Sequence, residues 1–425
     1  MKRCADMMRA FMVGRFRYAL MGLTAWVLSS SVQSSVLQKA IDSAPEGATV
    51  ELGAGLYEGN LIINKPLTLR ASEPGAVIRG DGKGSVITVT SPFVTIEGLT
   101  IERSGGEHQT VDAGVTVKQA HVVKIRNNRI RDCLFGVNFE QTNQSLIEGN
   151  EISSKPVSLG LRGDGIRLWY SHSNHITLNT TYDIRDNVFW YSSANRITQN
   201  VGRDSRYSLH FMYADRNVVS QNRYQNNSVG IFLMFSQGAT VQRNVVSYAT
   251  GPFGIGLGMK EASDIKVENN EVLYNARGFY LDSSPYQPGT QNVFLNNKIN
   301  FNSIAFLLHG TLLPSRFEGN EFKGNIDDVV NDTPESKLEL NVWSGNYWDN
   351  YQGFDRDGDG IGDIAHEQWM FADRVWNYQP ATRLFYASPI LDIMNFLWRL
   401  MPFSEPELLA RDERPLVRPK SGDKP

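Results

Sequence analysis

"NHITLNTTYDIRDNVFWYSSANRITQNVGRDSRYSLHFMYADRNVVSQN" (residues 174–222) repeats one short phrase three times: an apolar residue, two intervening residues, then Asn. The copies are Ile176…Asn179, Ile197…Asn200 and Val219…Asn222. Upstream the phrase recurs at Ile125…Asn128 and Ile147…Asn150. Downstream it recurs at Val241…Asn244, Val267…Asn270, Phe294…Asn297 and Phe317…Asn320. The Asn-to-Asn spacings are 22, 29, 21, 22, 22, 26, 27 and 23. A period of this length implies stacked units, each too small to bury a core of its own.

The segments around the phrase are short, rich in Val, Ile and Thr, and punctuated by Gly, Pro and Asn. "ATVEL", "NLIIN", "LTLRA", "AVIRG", "SVITVT" and "VTIEGLTIE" open the series. This is strand chemistry, and none of these runs offers a helix long enough for a βαβ crossover. The period predicts a right-handed parallel β-helix, an all-β solenoid, over residues 34–340. A β-propeller is the competing architecture, but its blades repeat at roughly 40 residues or more. Val36–Ala44 has helical spacing and is expected to cap the open end of the solenoid, which would otherwise expose strand edges.

Between the Asn positions lies a second phrase: "GIRLW" (165–169), "NVFWY" (187–191), "SLHFM" (208–212), "GIFLM" (230–234), "GIGLG" (254–258), "GFYLD" (278–282) and "AFLLH" (305–309). Strand alternation sends two columns inward, including Leu209/Phe211 and Ile231/Leu233. The recurring Asn is expected to form a structural ladder of amide hydrogen bonds at a turn. The outward columns read Arg167/Trp169, Val188/Trp190, His210/Met212, Phe232/Met234, Gly256/Gly258, Tyr280/Asp282 and Leu307/His309. An aromatic, methionine-rich outer face marks an interaction surface, with Trp169 and Trp190 as partner-binding residues. Thioethers beside an imidazole suit a soft monovalent metal, so His210, Met212, Met234 and, with a one-residue shift, Met259 are the expected copper(I) ligands. The competing reading makes these methionines core fillers in a register one residue away.

A net charge of −3 gives no electrostatic basis for nucleic-acid binding. Residues 1–33 read as a signal peptide: Lys2, Arg3, Arg9, Arg15 and Arg17 precede an apolar run, Ala19–Leu28, and the small residues Ser29–Ser31. The two cysteines are Cys4, inside that leader, and Cys133, expected as a buried small residue. "SSKPVSLGLRGD" and "SSPYQPGTQ" lengthen two coils and should project as loops, which often lie on a binding face.

Residues 341–388 form an acidic-loop and aromatic extension. Asp355, Asp357, Asp359 and Asp363 have oxygen-donor spacing for calcium, with Gly360 at the turn. His366 at the twelfth position, where an EF-hand has Glu, excludes that motif. Residues 389–425 comprise a docking helix and a flexible tail. The helix is expected over Ile390–Phe403, with Met394, Leu397 and Trp398 meeting a partner or a membrane surface. It is too short to span a bilayer. An enzyme reading rests on Asp164, Arg167, His172, His175, Asp183 and Asp186, close in sequence on a scaffold that often carries sugar chemistry.

"GAGLYEGNLIINKPLTLRAS", "VTIEGLTIERSG", the Asn-anchored coils and "GNYWDNYQGFDRDGDGIGD" together resemble the NosD family. Those are periplasmic copper-binding β-helix proteins of nitrous oxide reductase maturation. The resemblance spans Val36 to about Tyr378. It implies a non-enzymatic periplasmic assembly factor, membrane-associated through a partner or its terminal helix. The implied partners are the membrane subunits of an ABC transporter, a copper chaperone lipoprotein and nitrous oxide reductase. The copper ligands themselves come from the strand register, not from the resemblance. A metal-free docking scaffold and a carbohydrate-active enzyme remain the alternatives.

Overall fold

A computed structural model describes residues 26–28, 32–370, 384, 388–400 and 407–420. Among them, three sheets of 16, 14 and 12 strands, parallel except at the C-terminal edge of the first, run the length of the molecule, and the chain winds through them in turn. One coil shows the plan. His175–Thr177 lies in the 16-stranded sheet, Thr180–Tyr182 in the 14-stranded sheet and Asp186–Trp190 in the 12-stranded sheet. This is the parallel β-helix that the repeat predicts.

The Asn phrase makes the corner between the first two of these sheets. The residue before each Asn adopts a left-handed conformation, for example Leu178 (φ 57°) and Gln199 (φ 57°). That conformation costs a non-glycine residue about 1 kcal/mol, and the amide ladder offsets it. Asn200 Oδ1 accepts the backbone and side-chain N–H groups of Asn179, both at 3.0 Å. Asn200 Nδ2 donates to Ile176 O and Asn222 Oδ1. Every hydrogen-bonding site of the buried amide is used. The ladder continues past Asn320 through Asn346 and ends on Asp412, a carboxylate in place of the next amide.

The helix α1 (Ser34–Ser43) covers the N-terminal end and buries Leu37 and Ile41. Its Gln38 accepts the N–H of Ile62 and donates to the Ile62 carbonyl, so a side chain pairs the exposed edge of the 12-stranded sheet. Residues 1–25 and 29–31 of the expected leader lie outside the described residues. Trp26–Leu28 and Val32–Gln33, within the same span, pair with the first coil.

The C-terminal tail departs from expectation. Glu407–Asp412 is a strand, antiparallel to His366–Met370 and touching Trp343 in the parallel sense. Leu409 and Ala410 are buried there, and Lys420 reaches back to Asn296. Polar composition suggested a flexible segment, but an unfinished amide ladder and an open sheet edge supply its partners. The helix α2 (Pro389–Leu400) is two turns shorter in reach than a bilayer needs. No helix among the described residues is long and apolar enough to cross a membrane.

Candidate metal centre and docking face

The outward face of the 12-stranded sheet carries the site. Register pairs Trp169 with Trp190, Trp190 with Met212, Met212 with Met234, and Met234 with Lys260. Asp282 and His309 continue the same file. The second outward column is Arg167, Val188, His210, Phe232, Gly258 and Tyr280. The coil at 254–260 therefore sits two residues from the sequence alignment: Gly258/Lys260 face out, not Gly256/Gly258. Met259 pairs with Leu233 in the inward column, is fully buried, and has its sulfur 3.9 Å from Asn292 Nδ2. Met259 is thus a core residue on the opposite face of its strand from Met234. The one-residue shift that would bring it outward does not occur, because the corner before Ile255 takes up an even number of residues.

His210 and Met234 do come together, with Met212 beside them on the same strand face. His210 Nε2 lies 3.1 Å from Met234 Sδ, and Met212 is the register neighbour of Met234 and shares the strand face of His210. A break in register aims the imidazole. Asp186 pairs with Tyr207 but Val188 pairs with His210, so two residues oppose Asn187. Asn187 turns inward and bridges the bulge, donating to Ser208 O and Thr181 Oγ1 and accepting from Ile166 N. Such bulges re-aim side chains.

The ring of His210 is held on three sides. Tyr207 stacks on it at 4.7 Å, Phe232 meets it edge-on at 6.4 Å, and Asp186 Oδ2 lies 3.6 Å from Nδ1. Asp186 is itself held by Arg206. Burial pushes the Asp186 carboxyl up, but the bond and charge of Arg206, with His210 close by, more than offset it, leaving it below the usual range; at 3.6 Å the His210 Nδ1 contact is not a hydrogen bond. A carboxylate behind the second imidazole nitrogen is the usual means of orienting a metal-binding histidine. Gly258 is required by close approach: a Cβ there would lie 2.4 Å from the Phe232 ring, which folds across it. Val229, Phe232 and Ile255 make a small outer apolar cluster with Met234 packed against it.

Trp169 and Trp190 lie edge to face at 5.2 Å, and Arg167 covers the Trp169 ring at 5.2 Å. Beside this file runs an aromatic column that sequence reasoning passed over. Tyr170, Tyr191, Tyr213 and Phe235 stack at 4.8, 5.1 and 4.9 Å. All four are left-handed corner residues. The signal was present as the pairs Trp169-Tyr170, Trp190-Tyr191, Met212-Tyr213 and Met234-Phe235.

The residues of the enzyme reading divide: Asp164, Arg167 and Asp186 are close enough to act on one another's charge, whereas Asp183, His172 and His175 are engaged elsewhere. Asp164 is buried against Arg185, and Asp183 pairs with Arg162. Burial, with the nearby Asp186 charge, pushes the Asp164 carboxyl up to about 6 against the opposing pull of Arg185. His175 belongs to a different sheet and meets Thr198, while His172 accepts the Ser193 N–H.

In the extension, one oxygen from each of Asp355, Asp357 and Asp359 lies within 4.8 Å of the others. That is about twice a calcium–oxygen distance. Backbone N–H groups of Gly360 and Gly358 hold the Asp355 carboxyl below the usual range. Asp363 is separate, accepting the Arg356 N–H. His366 is buried and stacks on Trp348 at 4.7 Å. On α2, Ile390, Ile393, Met394, Phe396, Leu397 and Leu400 are exposed. The side chain of Trp398 lies outside the described residues.

The family model for "Periplasmic copper-binding protein (NosD)" matches residues 148–353, which contain the whole outer file. A right-handed β-helix model matches residues 67–200. A probable ABC transporter binding protein NosD from Pseudomonas aeruginosa is 31% identical over 399 residues, 86% of this chain and 87% of the relative. The chain belongs to the NosD family. A NosD protein of the same description from Stutzerimonas stutzeri is 30% identical, with 86% of each chain covered. Among solved structures, the A-module of a mannuronan C-5 epimerase from Azotobacter vinelandii has a TM-score of 0.54 at 17% identity, covering 75% of this chain and 96% of its own. The catalytic domain of a GH87 α-1,3-glucanase has a TM-score of 0.54 at 14% identity, covering 76% and 69%. At these identities the likeness is one of fold: this chain shares its β-helix with enzymes of sugar polymers.

Proposed function

We propose that this protein is a periplasmic, non-enzymatic copper-handling factor of the nitrous oxide reductase system. Copper(I) is its cargo, held by His210, Met212 and Met234 and passed on without redox change. The observation that carries this reading is the 3.1 Å approach of His210 Nε2 to Met234 Sδ on an outward face. With metal–nitrogen and metal–sulfur bonds of about 2.0 and 2.3 Å, two such ligands need only a few tenths of an ångström of opening to admit the ion. One imidazole and two thioethers favour the soft monovalent ion over zinc or magnesium. Few ligands at a half-buried surface favour transfer over storage.

The ABC transporter named in the relatives' description supports docking on a membrane complex, for which the exposed apolar face of α2 is suited. Trp169 and Trp190 flank the metal file and would meet the copper chaperone lipoprotein or the reductase. Asp355, Asp357 and Asp359 would hold calcium as a brace for the extension.

The test is a copper(I) competition titration against a chromophoric chelator. Met234→Leu and Met212→Leu keep side-chain volume and remove the thioether. The expected result is one bound copper(I) in the parent, weakened at least about tenfold in either variant and lost in His210→Ala/Met234→Leu. Unchanged stoichiometry and affinity would leave the metal-free docking scaffold as the better reading.

A further inference from the structure

The aromatic corner column stops abruptly. Phe235 is its last ring, and the next corner residue in register is Glu261, whose N–H donates to Asp282 O as Phe235 N–H donates to Lys260 O. Between them opens a cleft of about 370 Å³. Its rings come from Tyr213, Phe235 and Tyr286, and its carboxylates from Asp215 and Glu261. Tyr286 belongs to the insertion "SSPYQPGTQ", and two bonds to the buried Ser263 hydroxyl fix it there: the N–H groups of Tyr286 and Gln287 donate to Ser263 Oγ at 3.0 and 2.9 Å.

The charge in the cleft is one-sided. Asp215 Oδ1 accepts the Gln237 N–H at 2.8 Å. Neither Asp215 nor Glu261 has an ion-pair partner among the described residues, and no Lys or Arg lines the cleft. Lys260, the nearest base in the file, is engaged by Asp282 at 2.8 Å and feels the Glu261 charge more weakly, without an ion pair to it.

We propose that this cleft receives an arginine side chain of a partner protein. The guanidinium takes the position of the fifth rung: it lies flat on the free face of Phe235, at the spacing of the column, with its edge toward Glu261. A planar cation fits this place for two reasons. The ring face attracts positive charge, and the two oxygens of the Glu261 carboxylate match the guanidinium fork. The cleft is open to solvent and shallow, which suits a side chain delivered from a docked surface more than a free small ion. Phe235 directly follows Met234, so an arginine seated here sets the partner over the metal file. The assignment rests on the copper-transfer reading for its purpose, but its chemistry is independently measurable.

The experiment uses the full mature chain and N-acetyl-arginine amide as probe, with N-acetyl-citrulline amide as the uncharged isostere and putrescine as a free amine. Saturation-transfer NMR is expected to show binding of the arginine probe, at least about fivefold weaker binding of the citrulline probe, and a similar loss in Glu261→Gln. Phe235→Leu removes the ring face and should also weaken it. Copper(I) affinity should be unchanged in Glu261→Gln, which separates this inference from the metal site. Equal binding of arginine and citrulline probes, or no response to Glu261→Gln, overturns the proposal. Binding of putrescine without the arginine probe assigns the cleft to a free amine and overturns it as well.

Discussion

Asp412→Ala should unfasten the C-terminal end of the molecule without disturbing its middle. Asp412 is fully buried and accepts five N–H groups: Gly345 N, Asn346 N, Asn346 Nδ2, Trp348 Nε1 and Arg414 N, at 2.9–3.2 Å. Removing the carboxylate leaves Asn346 Nδ2 one partner, the Phe317 carbonyl. Gly345 N and Arg414 N are close enough to the surface to find water. Asn346 N and Trp348 Nε1 are left buried and unpaired. At about 1–3 kcal/mol for each buried orphan, the loss is about 4 kcal/mol. Asp412→Asn retains one oxygen and should lose about half of that.

A solenoid transmits such damage only to neighbouring coils. Hydrogen exchange read by mass spectrometry should therefore lose protection across 342–348 and 407–412, while coils before Asn297 keep theirs. Unchanged protection at 342–348 would refute the carboxylate as the end-piece of the ladder. Protection lost evenly along the chain would refute the quasi-one-dimensional account of its stability.

Asn200→Ala, in the middle of the ladder, orphans Asn179 N and Ile176 O and should cost about 3–4 kcal/mol in chemical denaturation, with copper(I) stoichiometry retained. Asp328 is buried, and its carboxyl is pushed up to about 7, by desolvation first, against the bond from Asn325. The folded state thus holds a proton that the unfolded chain releases near pH 4. Its contribution is full below that pH and declines as pH rises toward 7, by an upper bound of about 4 kcal/mol. Asp328→Asn should flatten stability between pH 4 and 7 and raise it at pH 8 by about 2 kcal/mol, less than the bound because one acceptor oxygen is lost; a variant as pH-dependent as the parent contradicts this. Calcium should raise the melting temperature of the C-terminal extension, chelation should reverse the shift, and Asp357→Asn should abolish it; no shift in the parent removes calcium from the account.

Much of this was legible in the sequence because a β-helix writes its geometry at a fixed period. Ile176…Asn179 and its copies gave the corner and the ladder, and alternation gave the parity of His210, Met212 and Met234. Parity is robust to a two-residue slip, so the file survived the misalignment at 254–258, whereas Met259, whose placement needed a one-residue slip, did not. What stayed hidden depends on contacts between distant segments. Nothing local in "PELLARDERPL" announces that Asp412 replaces the next ladder Asn. Arg206 and Asp186 meet only because their coils are stacked. The corner column Tyr170–Phe235 escaped because left-handed positions usually belong to Gly, Asn or Asp. Aromatic residues hold them here because each ring stacks on the next.

The proposed copper(I) centre on the outer face, one imidazole and two thioethers, has a defined first coordination shell. X-ray absorption of the copper(I)-loaded chain tests it directly. The expected first shell is one nitrogen at about 2.0 Å and two sulfurs at about 2.3 Å, with the sulfur shell halved in Met212→Leu. A first shell of nitrogen and oxygen only, or a sulfur shell unaffected by Met212→Leu, would contradict it.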